Sequence, residues 1–324
     1  MSPSIGFVLA TFNKRDQTLF LCERLTSMFG APPIAIHHDF SKSAIDTSLY
    51  PPNVRFVDRW RSTRWGSITV IEAFLSAYQL LYETPGFGDP DWVVPLSSTD
   101  YPIQTADRIL SDLQNASVDA FMDLRPIHDY GGIYIDEALG EDPFNQPRYH
   151  QGAFNRYVAI PVLPLDTARQ YRIPVELLCL KWKWLISRLT PFHDGFQCYG
   201  GDAWFIVNRR VAKLFLTDDD RRRTLLKHYS SRSTPEESFW HTLVGNTPEI
   251  RVSTQNLRYS DWKGCFAHPR TLGRESLPAL LASSAHYARK FAFDPAFLDE
   301  LDEAVAAKEA HEWATVQAGA NMLS

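Results

Sequence analysis

The stretch "SIGFVLATFNKRDQTLFLCERLTSMFGAPPIAIHHDFS", residues 4–41, contains the pattern from which the fold class follows. Its continuous apolar run over residues 5–12 predicts a buried parallel strand. The residues after this run carry apolar side chains at helical spacing, and "PIAIHHDFS" then predicts a second strand with a polar end. A strand, a helix and a second strand in this order predict a parallel sheet covered by helices, an α/β fold.

The same alternation continues to about residue 125. "VRFVD" predicts a short third strand, "SITVIEAFLSAYQLLYE" a long amphipathic helix, and "DWVVPLSSTDYPI" a fourth strand. Ligands of such sheets bind where the strands end. The predicted strand ends are "TFNK", "HHDFSK", "RWRSTRWGS" and "SSTDYP", and all four are polar. We therefore expect these ends to converge on a binding site.

The second half of the chain begins with a less regular region. Residues 129–191 are rich in Tyr, Pro, Trp and Arg and show weak periodicity, which predicts long loops and short helices that contact a substrate. Regular elements follow: "DAWFIVNRRVAKLFL" predicts a strand and a helix, "PEESFWHTLVGN" a helix, and "NLRYSDW" a strand. The residues from 295 onward predict an amphipathic C-terminal helix.

Composition excludes several classes of protein. With 324 residues, 44% of them hydrophobic and 22% charged, the chain is expected to be globular. A net charge of -5 argues against a nucleic-acid partner. No segment is apolar over the ~18 residues of a membrane span. The cysteines form no CxxC pair, which predicts free thiols in a reducing compartment: Cys22, Cys179, Cys198 and Cys265. We expect a cytoplasmic protein of bacterial origin, with peripheral attachment to a membrane as a further expectation.

Common catalytic and metal-binding motifs are missing. The chain has no GxxxxGK[ST], GxGxxG or GxSxG, which argues against a kinase, a dinucleotide enzyme and an α/β-hydrolase. His37 and His38 are adjacent on a predicted strand, so their side chains point to opposite faces and cannot easily share a metal. Asp89 and Asp91 have DxD spacing in "GDPDW", but they precede the strand and are interpreted as a turn. We therefore expect no metal.

Four polar sites remain as functional candidates, each with a structural alternative. Asp100 in "LSSTDYP" is either a turn residue or a ligand for sugar hydroxyls. Ser67 is either a helix N-cap or part of a nucleotide contact made with "WRSTRW". Arg289 and Lys290 lie between aromatic residues and either form surface salt bridges or neutralise a diphosphate. The acidic pair of "STPEESFWHTLVGN" either caps a helix or supplies a catalytic base.

The order and spacing of seven segments resemble one glycosyltransferase family. The segments are "IAIHHDFS", "WRSTRWGSITVIEAFL", "DWVVPLSSTDYPIQT", "GGDAWFIVNRR", "STPEESFWHTLVGN", "NLRYSDW" and "SSAHYARKFAFD". The family comprises core-2/I-branching β-1,6-N-acetylglucosaminyltransferases and peptide O-xylosyltransferases. The resemblance implies a GT-A fold, a UDP-sugar donor, a glycan acceptor, inversion at the anomeric carbon and no bound metal. It also implies one catalytic domain over residues 1–294, with a donor half to about 125 and an acceptor half from about 126, followed by a helix over 295–324.

The resemblance also assigns roles to individual residues. It places Glu237 as the catalytic base and Arg289 with Lys290 at the UDP diphosphate. The other donor-binding assignments are Ala10, Asp39, Trp65 and Asp100, and the acceptor-binding assignments are Glu236, Asp202 and Trp204. This chain departs from its relatives after Asp39, where Phe40 and Ser41 replace basic residues, and at Asp202, where many relatives have serine.

This interpretation makes definite expectations for the segment around Glu237. Pro235 is expected in the first turn of a helix capped by Ser233 or Thr234. A helix N-terminus favours the ionised form of a carboxyl, so Glu237 is expected to be ready to accept a proton. Two rival functions remain: a metal-dependent GT-A transferase, and a glycan-binding relative without catalysis. A requirement for a divalent metal would indicate the first, and failure to turn over any UDP-sugar would indicate the second.

Overall fold

The computed structural model describes residues 2–128, 147–171, 173, 179–265 and 268–321. The strands within these ranges are β1 (Ile5–Thr11), β2 (Ile34–His38), β3 (Val54–Phe56), β4 (Trp92–Leu96), β5 (Tyr101–Pro102), β6 (Ala120–Phe121), β7 (Arg125–Pro126), β8 (Ile160–Pro161), β9 (Cys179–Leu180), β10 (Tyr199–Gly200), β11 (Ile206–Asn208), β12 (Val252–Ser253), β13 (Arg258–Ser260) and β14 (Tyr287–Arg289). The helices are α1 (Arg15–Met28), α2 (Ile68–Glu83), α3 (Ala106–Gln114), α4 (Pro147–Tyr157), α5 (Leu165–Gln170), α6 (Lys183–Leu189), α7 (Arg209–Leu216), α8 (Asp220–Tyr229), α9 (Phe239–Gly245), α10 (Leu277–Ala282) and α11 (Pro295–Asn321).

A seven-stranded central sheet organises the molecule, in the order β12-β6-β11-β4-β1-β2-β3. Strands β4, β1, β2 and β3 run parallel, so their carboxyl ends lie at one edge of the sheet. Strand β11 is antiparallel to both β4 and β6. The predicted mixed, mainly parallel α/β sheet of the GT-A type is confirmed.

The core occupies both faces of this sheet because successive side chains on a strand point to opposite sides. In β1, Phe7 and Leu9 belong to the hydrophobic cluster on one face, whereas Val8 belongs to the cluster on the other. All three are fully buried, which explains why the strand is continuously apolar in sequence. The helices that cover the two faces hold the sheet rigid and fix where its strand ends lie.

A second, three-stranded sheet lies beside the carboxyl end of β4. Its order is β13-β14-β5, and β14 is parallel to β13 and antiparallel to β5. Strand β5 follows the turn after β4, so the short segment over residues 97–100 connects the two sheets. The predicted late strand in "NLRYSDW" is therefore confirmed as β13, and "HYAR" contributes β14.

The C-terminal helix packs its first turns into the same core as the sheet. Phe297, Leu298 and Leu301 of α11 are buried in the cluster that contains Phe7 and Leu9. The predicted helix is thus confirmed as far as Asn321, and residues 322–324 lie outside the described part.

Two further features bear on earlier expectations. In the part of the chain that the structure describes, no helix is both long and apolar enough to cross a membrane. None of the four cysteines is part of a disulfide: Cys22 and Cys198 are buried, and Cys179 and Cys265 are partly buried. The irregular middle region contains the predicted short helices α4, α5 and α6, while its residues 129–146, 172 and 174–178 lie outside the described ranges.

Candidate active site

Asp39 follows β2 and holds two strand-end loops together. Its Oδ1 accepts hydrogen bonds from the Ser41 amide and hydroxyl, at 3.1 and 2.5 Å. Its Oδ2 accepts from the Thr63 amide and hydroxyl, at 2.7 and 2.9 Å. Burial opposes ionisation of this carboxyl, but these hydrogen bonds outweigh it and hold the pKa of Asp39 well below its usual range. The structure thus uses Asp39 to shape the loop that leads to Trp65, and its predicted contact with the nucleotide stays a prediction.

Asp100, after β4, organises the basic residues of the second sheet. Its carboxylate is fully buried and accepts a hydrogen bond from Arg258 at 3.0 Å, while Ser97 donates both its amide and its hydroxyl to the other oxygen. The Nε atom of Arg289 lies 3.7 Å from Asp100 Oδ1. Asp100 therefore acts in this structure by positioning two arginines, a role beyond the turn and the sugar contact that the sequence suggested.

Arg289 is a buried cation that is held in place from one side. Its guanidinium carbon lies 4.5 Å from the centre of the Trp204 ring, within the range of a cation–π interaction. Its side chain is 12% exposed, and its Nε is buried without a hydrogen-bond partner. A buried donor without an acceptor is costly, so an anionic ligand that accepted from Nε would bind favourably. This arrangement argues against the surface salt bridge considered from sequence.

Lys290 adds positive charge next to Arg289. Its Nζ lies 3.4 Å from Nδ1 of His268. Burial, followed by repulsion from Arg289 and Lys14, lowers the pKa of the ammonium, and Asp100 partly opposes this. The aromatic neighbours expected from sequence are present, since Tyr287 and Phe291 are both buried. Arg289 and Lys290 thus put two positive charges side by side at the end of β14, which suits a diphosphate.

Glu237 lies across the site in a short 3-10 turn over Pro235–Glu237. Its Oε2 accepts hydrogen bonds from Arg156 at 3.3 Å and from the Tyr157 hydroxyl at 3.2 Å. Arg156 also donates to the Thr234 hydroxyl at 2.9 Å, and Tyr157 donates to the Thr234 carbonyl at 3.1 Å. Arg156 and Tyr157 of α4 thus hydrogen-bond both to the Glu237 carboxylate and to Thr234, which precedes the turn.

Pro235 lies in the first turn of this segment and Thr234 at its N-cap position, as predicted, but the expected side-chain cap and the regular helix are absent. The helix α9 begins at Phe239, after the 3-10 turn, and neither Thr234 nor Ser238 makes a side-chain cap. Thr234 has a left-handed backbone, with φ of 46°, and its hydroxyl is occupied by Arg156. The predicted anchoring of the helix is confirmed, because Phe239 and Trp240 are 0% and 2% exposed.

The expected electrostatic state of Glu237 also needs correction. Burial raises the pKa of its carboxyl, although Arg156, Tyr157 and Arg289 each work in the opposite direction. The sequence had suggested that a helix N-terminus would favour the ionised form. Desolvation dominates instead, because the carboxyl lies in a partly buried turn and not at the start of a regular helix. A raised pKa makes the carboxylate a stronger base once it is ionised.

Asp202 is close enough to Glu237 and Arg289 for both charges to act on its pKa. Its Oδ2 accepts a hydrogen bond from the Asn256 amide at 2.8 Å. Burial raises the pKa of Asp202 to about 7; Arg289 opposes this shift, whereas Asp123 and Glu237 add to it. Gly201, the residue before it, cannot carry a side chain, since a Cβ atom there would lie 1.6 Å from the Asp123 carbonyl oxygen. Because Gly201 packs so closely against Asp123, Asp202 comes within electrostatic range of Glu237 and of Arg289.

The remaining predicted site residues occupy the same edge of the sheet. Ala10 lies near the end of β1, paired in register with His37. Trp65 is 68% exposed, and the carbonyl of Gly66 beside it accepts a hydrogen bond from the Thr234 amide at 3.0 Å. Glu236 is partly buried in the turn that contains Glu237. Ser67 begins α2 without capping it, and its hydroxyl donates to the Arg64 carbonyl at 2.8 Å.

The acidic pair before β4 has a structural role. Asp91 accepts hydrogen bonds from the amide and hydroxyl of Ser4, at 2.8 and 2.7 Å. Arg209 forms ion pairs with Asp89 at 3.2 Å and with Asp91 at 3.0 Å. Both carboxylates lie at the amino end of β4, as predicted. Among the described residues, no group of three His, Cys, Asp or Glu side chains could hold a metal ion.

Sequence analysis did not identify four residues of this site: Arg156, Tyr157, Arg258 and His268. Arg156 and Tyr157 belong to the weakly periodic middle region, where only the abundance of Tyr and Arg hinted at a polar site. Arg258 lies in the quoted segment "NLRYSDW", but nothing local shows that it pairs with Asp100, 158 residues earlier.

Comparison with known proteins places the chain among sugar transferases. A family model described as Core-2/I-Branching enzyme matches residues 7–132 and 166–281. The chain is 24% identical over 254 residues to beta-glucuronosyltransferase GlcAT14B of Arabidopsis thaliana, an alignment that covers 77% of this chain and 51% of the relative. It is 28% identical over 230 residues to human xylosyltransferase 1, covering 69% and 20%. For xylosyltransferase sqv-6 of Caenorhabditis elegans the identity is 23% over 263 residues, covering 74% and 28%. The chain thus spans about half of the length of the first of these relatives and less of the other two.

Proposed function

Because the chain belongs to the Core-2/I-branching enzyme family, we propose that it is an inverting glycosyltransferase. It moves a sugar from a UDP-sugar donor to a hydroxyl of a glycan acceptor and forms a β-linkage. The observation that carries the proposal is a carboxylate held by two hydrogen bonds near a mostly buried arginine whose Nε has no hydrogen-bond partner among the described residues. Glu237 and Arg289 lie close enough for the guanidinium to lower the pKa of the carboxyl.

The proposed reaction is a single displacement. The acceptor hydroxyl transfers its proton to the ionised carboxylate of Glu237 while its oxygen forms a bond to the anomeric carbon. The bond from that carbon to the β-phosphate oxygen breaks, and UDP leaves with the bonding electron pair. Arg289 and Lys290 stabilise the negative charge that develops on UDP. Attack and departure on opposite faces of the sugar account for inversion.

The charges around the sugar position favour a neutral donor sugar, namely xylose or N-acetylglucosamine. Asp202 and Glu237 put carboxyls there, and three nearby arginines are already paired: Arg125 with Asp123, Arg156 with Glu237, and Arg258 with Asp100. Within the described residues, the additional carboxylate of a uronic acid would therefore lack a cation of its own. We expect UDP-glucuronate to bind more weakly than UDP-xylose or UDP-N-acetylglucosamine.

One surface feature of the described residues suits a glycan acceptor. An open pocket of about 400 Å³ is lined by the polar residues Ser67, Thr69, Ser230 and Ser231 and by Arg64 and Asp166, which form an ion pair. Together with Glu236, Asp202 and Trp204, these groups form the acceptor side of the proposal.

We propose that no metal takes part, because Arg289 and Lys290 supply the positive charge that a divalent ion supplies elsewhere. The bacterial origin and the cytoplasmic location expected from sequence stay predictions; the relatives described above come from a plant and two animals.

The decisive experiment combines binding with turnover. Thermal shift is measured with UDP, UDP-xylose, UDP-N-acetylglucosamine, UDP-glucuronate, UDP-glucose and UDP-galactose, and the stabilising sugars are then tested for transfer or slow hydrolysis. We expect UDP and a neutral UDP-sugar to raise the unfolding temperature and the same sugar to be turned over. Binding without any turnover would indicate the glycan-binding alternative, and absence of UDP binding would contradict the proposal.

A further inference from the structure

His268 connects two groups of the donor site that lie in different loops. Its Nδ1 is 3.4 Å from Lys290 Nζ, and the edge of its ring meets Trp65, with ring centres 5.9 Å apart and planes at 71°. The side chain itself is exposed, so it is not part of the hydrophobic core. A residue that contacts both a predicted phosphate ligand and a predicted donor-pocket wall is well placed to influence binding.

The backbone around His268 is held next to Lys290. The Arg270 amide donates to the Asp261 carbonyl at 2.7 Å, which closes the loop that bears the histidine. The Leu272 amide then donates to the Lys290 carbonyl at 2.8 Å, and Leu272 pairs with Phe291. The distance from His268 to Lys290 is therefore set by neighbouring chain segments and not by the two side chains alone.

The chemistry of the contact fixes the state of the imidazole. An ammonium group can only donate hydrogen bonds, so Nδ1 accepts and the ring proton is on Nε2. Partial burial, and then repulsion from Lys290 and Arg289, lowers the pKa of His268 and favours this neutral form. A neutral imidazole can accept one hydrogen bond from the Lys290 ammonium and leaves its positive charge available to an anionic ligand.

A free lysine side chain loses much rotational freedom when it is fixed by a ligand. An acceptor that already holds the ammonium reduces that loss, and it keeps Nζ beside the guanidinium of Arg289. Exposed Trp65 would then form the outer wall of the same pocket, packed on the imidazole. Lys14 is the other cation near Lys290, and its Nζ is directed to Gln17 at 3.4 Å.

We propose that His268 is a positioning residue for the donor diphosphate: it orients Lys290 beside Arg289. The proposal rests on the function proposed above and adds to it a residue that contacts neither Glu237 nor the sugar position. His268 acts through Lys290, so its effect must depend on Lys290 and on the phosphates of the ligand.

The test measures binding of UDP, UMP and uridine by calorimetry to wild type, His268→Ala and His268→Asn. Asparagine places an amide oxygen where Nδ1 was and keeps an acceptor for Lys290. We expect His268→Ala to weaken UDP binding about five- to tenfold, the scale of one hydrogen bond to a charged group in a partly exposed site. Uridine binding should stay unchanged, and His268→Asn should recover most of the UDP affinity.

A double-mutant cycle with Lys290→Ala separates positioning from general damage. If His268 acts through Lys290, His268→Ala should cause no further loss of UDP affinity in the Lys290→Ala background. An equal loss in both backgrounds, or equal losses for UDP and uridine, would overturn the proposal. If wild type and His268→Ala bind UDP equally well, this inference alone is overturned. If wild type binds no UDP, the proposed function is contradicted.

Discussion

The surroundings of the Glu237 side chain come from residues that are distant in the sequence. Its carboxylate is held by Arg156 and Tyr157, which lie 81 and 80 residues earlier in the chain. Burial and these hydrogen bonds act on the pKa in opposite directions, and burial prevails. The carboxyl is thus oriented for one proton transfer and resists ionisation more than an exposed glutamate.

Glu237→Gln is expected to abolish most transfer while leaving UDP binding intact. The amide keeps the shape of the side chain but cannot accept the proton, so the transfer rate should fall on the order of 10²-fold or more. Steady-state kinetics and UDP calorimetry measure the two effects. Glu236→Gln is the matched control and should lose much less; if the control is the more damaged variant, the base has been assigned to the wrong member of the pair.

Tyr157→Phe is expected to shift the acid limb of the pH–rate profile to higher pH. Glu237 must be ionised to act, so the rate falls as pH decreases through its pKa, which already lies above the ordinary 4.5. The Tyr157 hydroxyl stabilises the ionised form, and its removal raises the pKa further. The profile of kcat against pH records the shift. A limb that moves to lower pH, or stays in place, would show that this hydroxyl does not act on the base.

At the scale of elements, the segment between β4 and β5 joins the two sheets through charge. Asp100 lies in that segment, Arg258 in β13 and Arg289 in β14, so one carboxylate holds two strands of the second sheet against the end of the first. A buried ion pair contributes little net stability, but breaking it leaves an uncompensated charge.

Asp100→Asn is therefore expected to lower the free energy of unfolding by about 3–5 kcal/mol, since Arg258 remains buried without its partner. Denaturant titration gives the value. The double variant Asp100→Asn with Arg258→Met removes both charges and should recover part of the loss. A single variant as stable as wild type would show that Arg258 finds another acceptor.

The amino end of β4 provides a test of metal independence. Asp89 and Asp91 pair with Arg209, so replacing either with alanine should reduce stability and leave transfer per folded molecule unchanged. Activity should persist in excess EDTA and respond little to Mg²⁺ or Mn²⁺, because Arg289 and Lys290 supply the charge. Activity that depends strictly on Mn²⁺ and is lost in Asp91→Ala would replace this mechanism with the metal-dependent one.

At the scale of the whole molecule, exposed aromatic side chains and positive charge coincide in one segment. Residues 179–193 contain Lys181, Lys183 and Arg188 and no acidic residue, in a chain of net charge -5. The rings of Trp182 and Trp184 stack with centres 6.1 Å apart in the same segment. Tryptophan beside lysine is typical of a surface that meets a membrane interface.

We therefore expect the protein to sediment with vesicles that contain anionic lipid and to be released by salt, as electrostatic attachment requires. Replacing Trp182 and Trp184 together by alanine should abolish the association, whereas Leu49→Ala, at an equally exposed apolar position, should not. If the double variant still binds vesicles but loses activity on a soluble acceptor, the pair belongs to the acceptor site instead.

Local pattern was enough to predict most of the fold. The order of strands and helices in the first half follows from apolar spacing, which depends on residues a few positions apart and is therefore legible in one sequence. The same holds for the neighbouring pairs Glu236–Glu237 and Arg289–Lys290, which are adjacent by covalent connection. Even so, the local rule failed at Thr234, where contacts from α4 outweighed the preference for a helix cap.

Only the tertiary structure decided which groups act together. It brought Tyr157 to Glu237, Arg258 to Asp100 and His268 to Lys290, pairs whose members the chain keeps 80, 158 and 22 residues apart. It also reversed the expected effect on the pKa of Glu237, because desolvation depends on everything packed around a carboxyl and not on its place along a helix. Hydrophobic periodicity is a local property, whereas electrostatic partnership and burial arise from packing of distant segments; for this reason the sequence determined the scaffold and candidate charges, and the folded chain determined their chemistry.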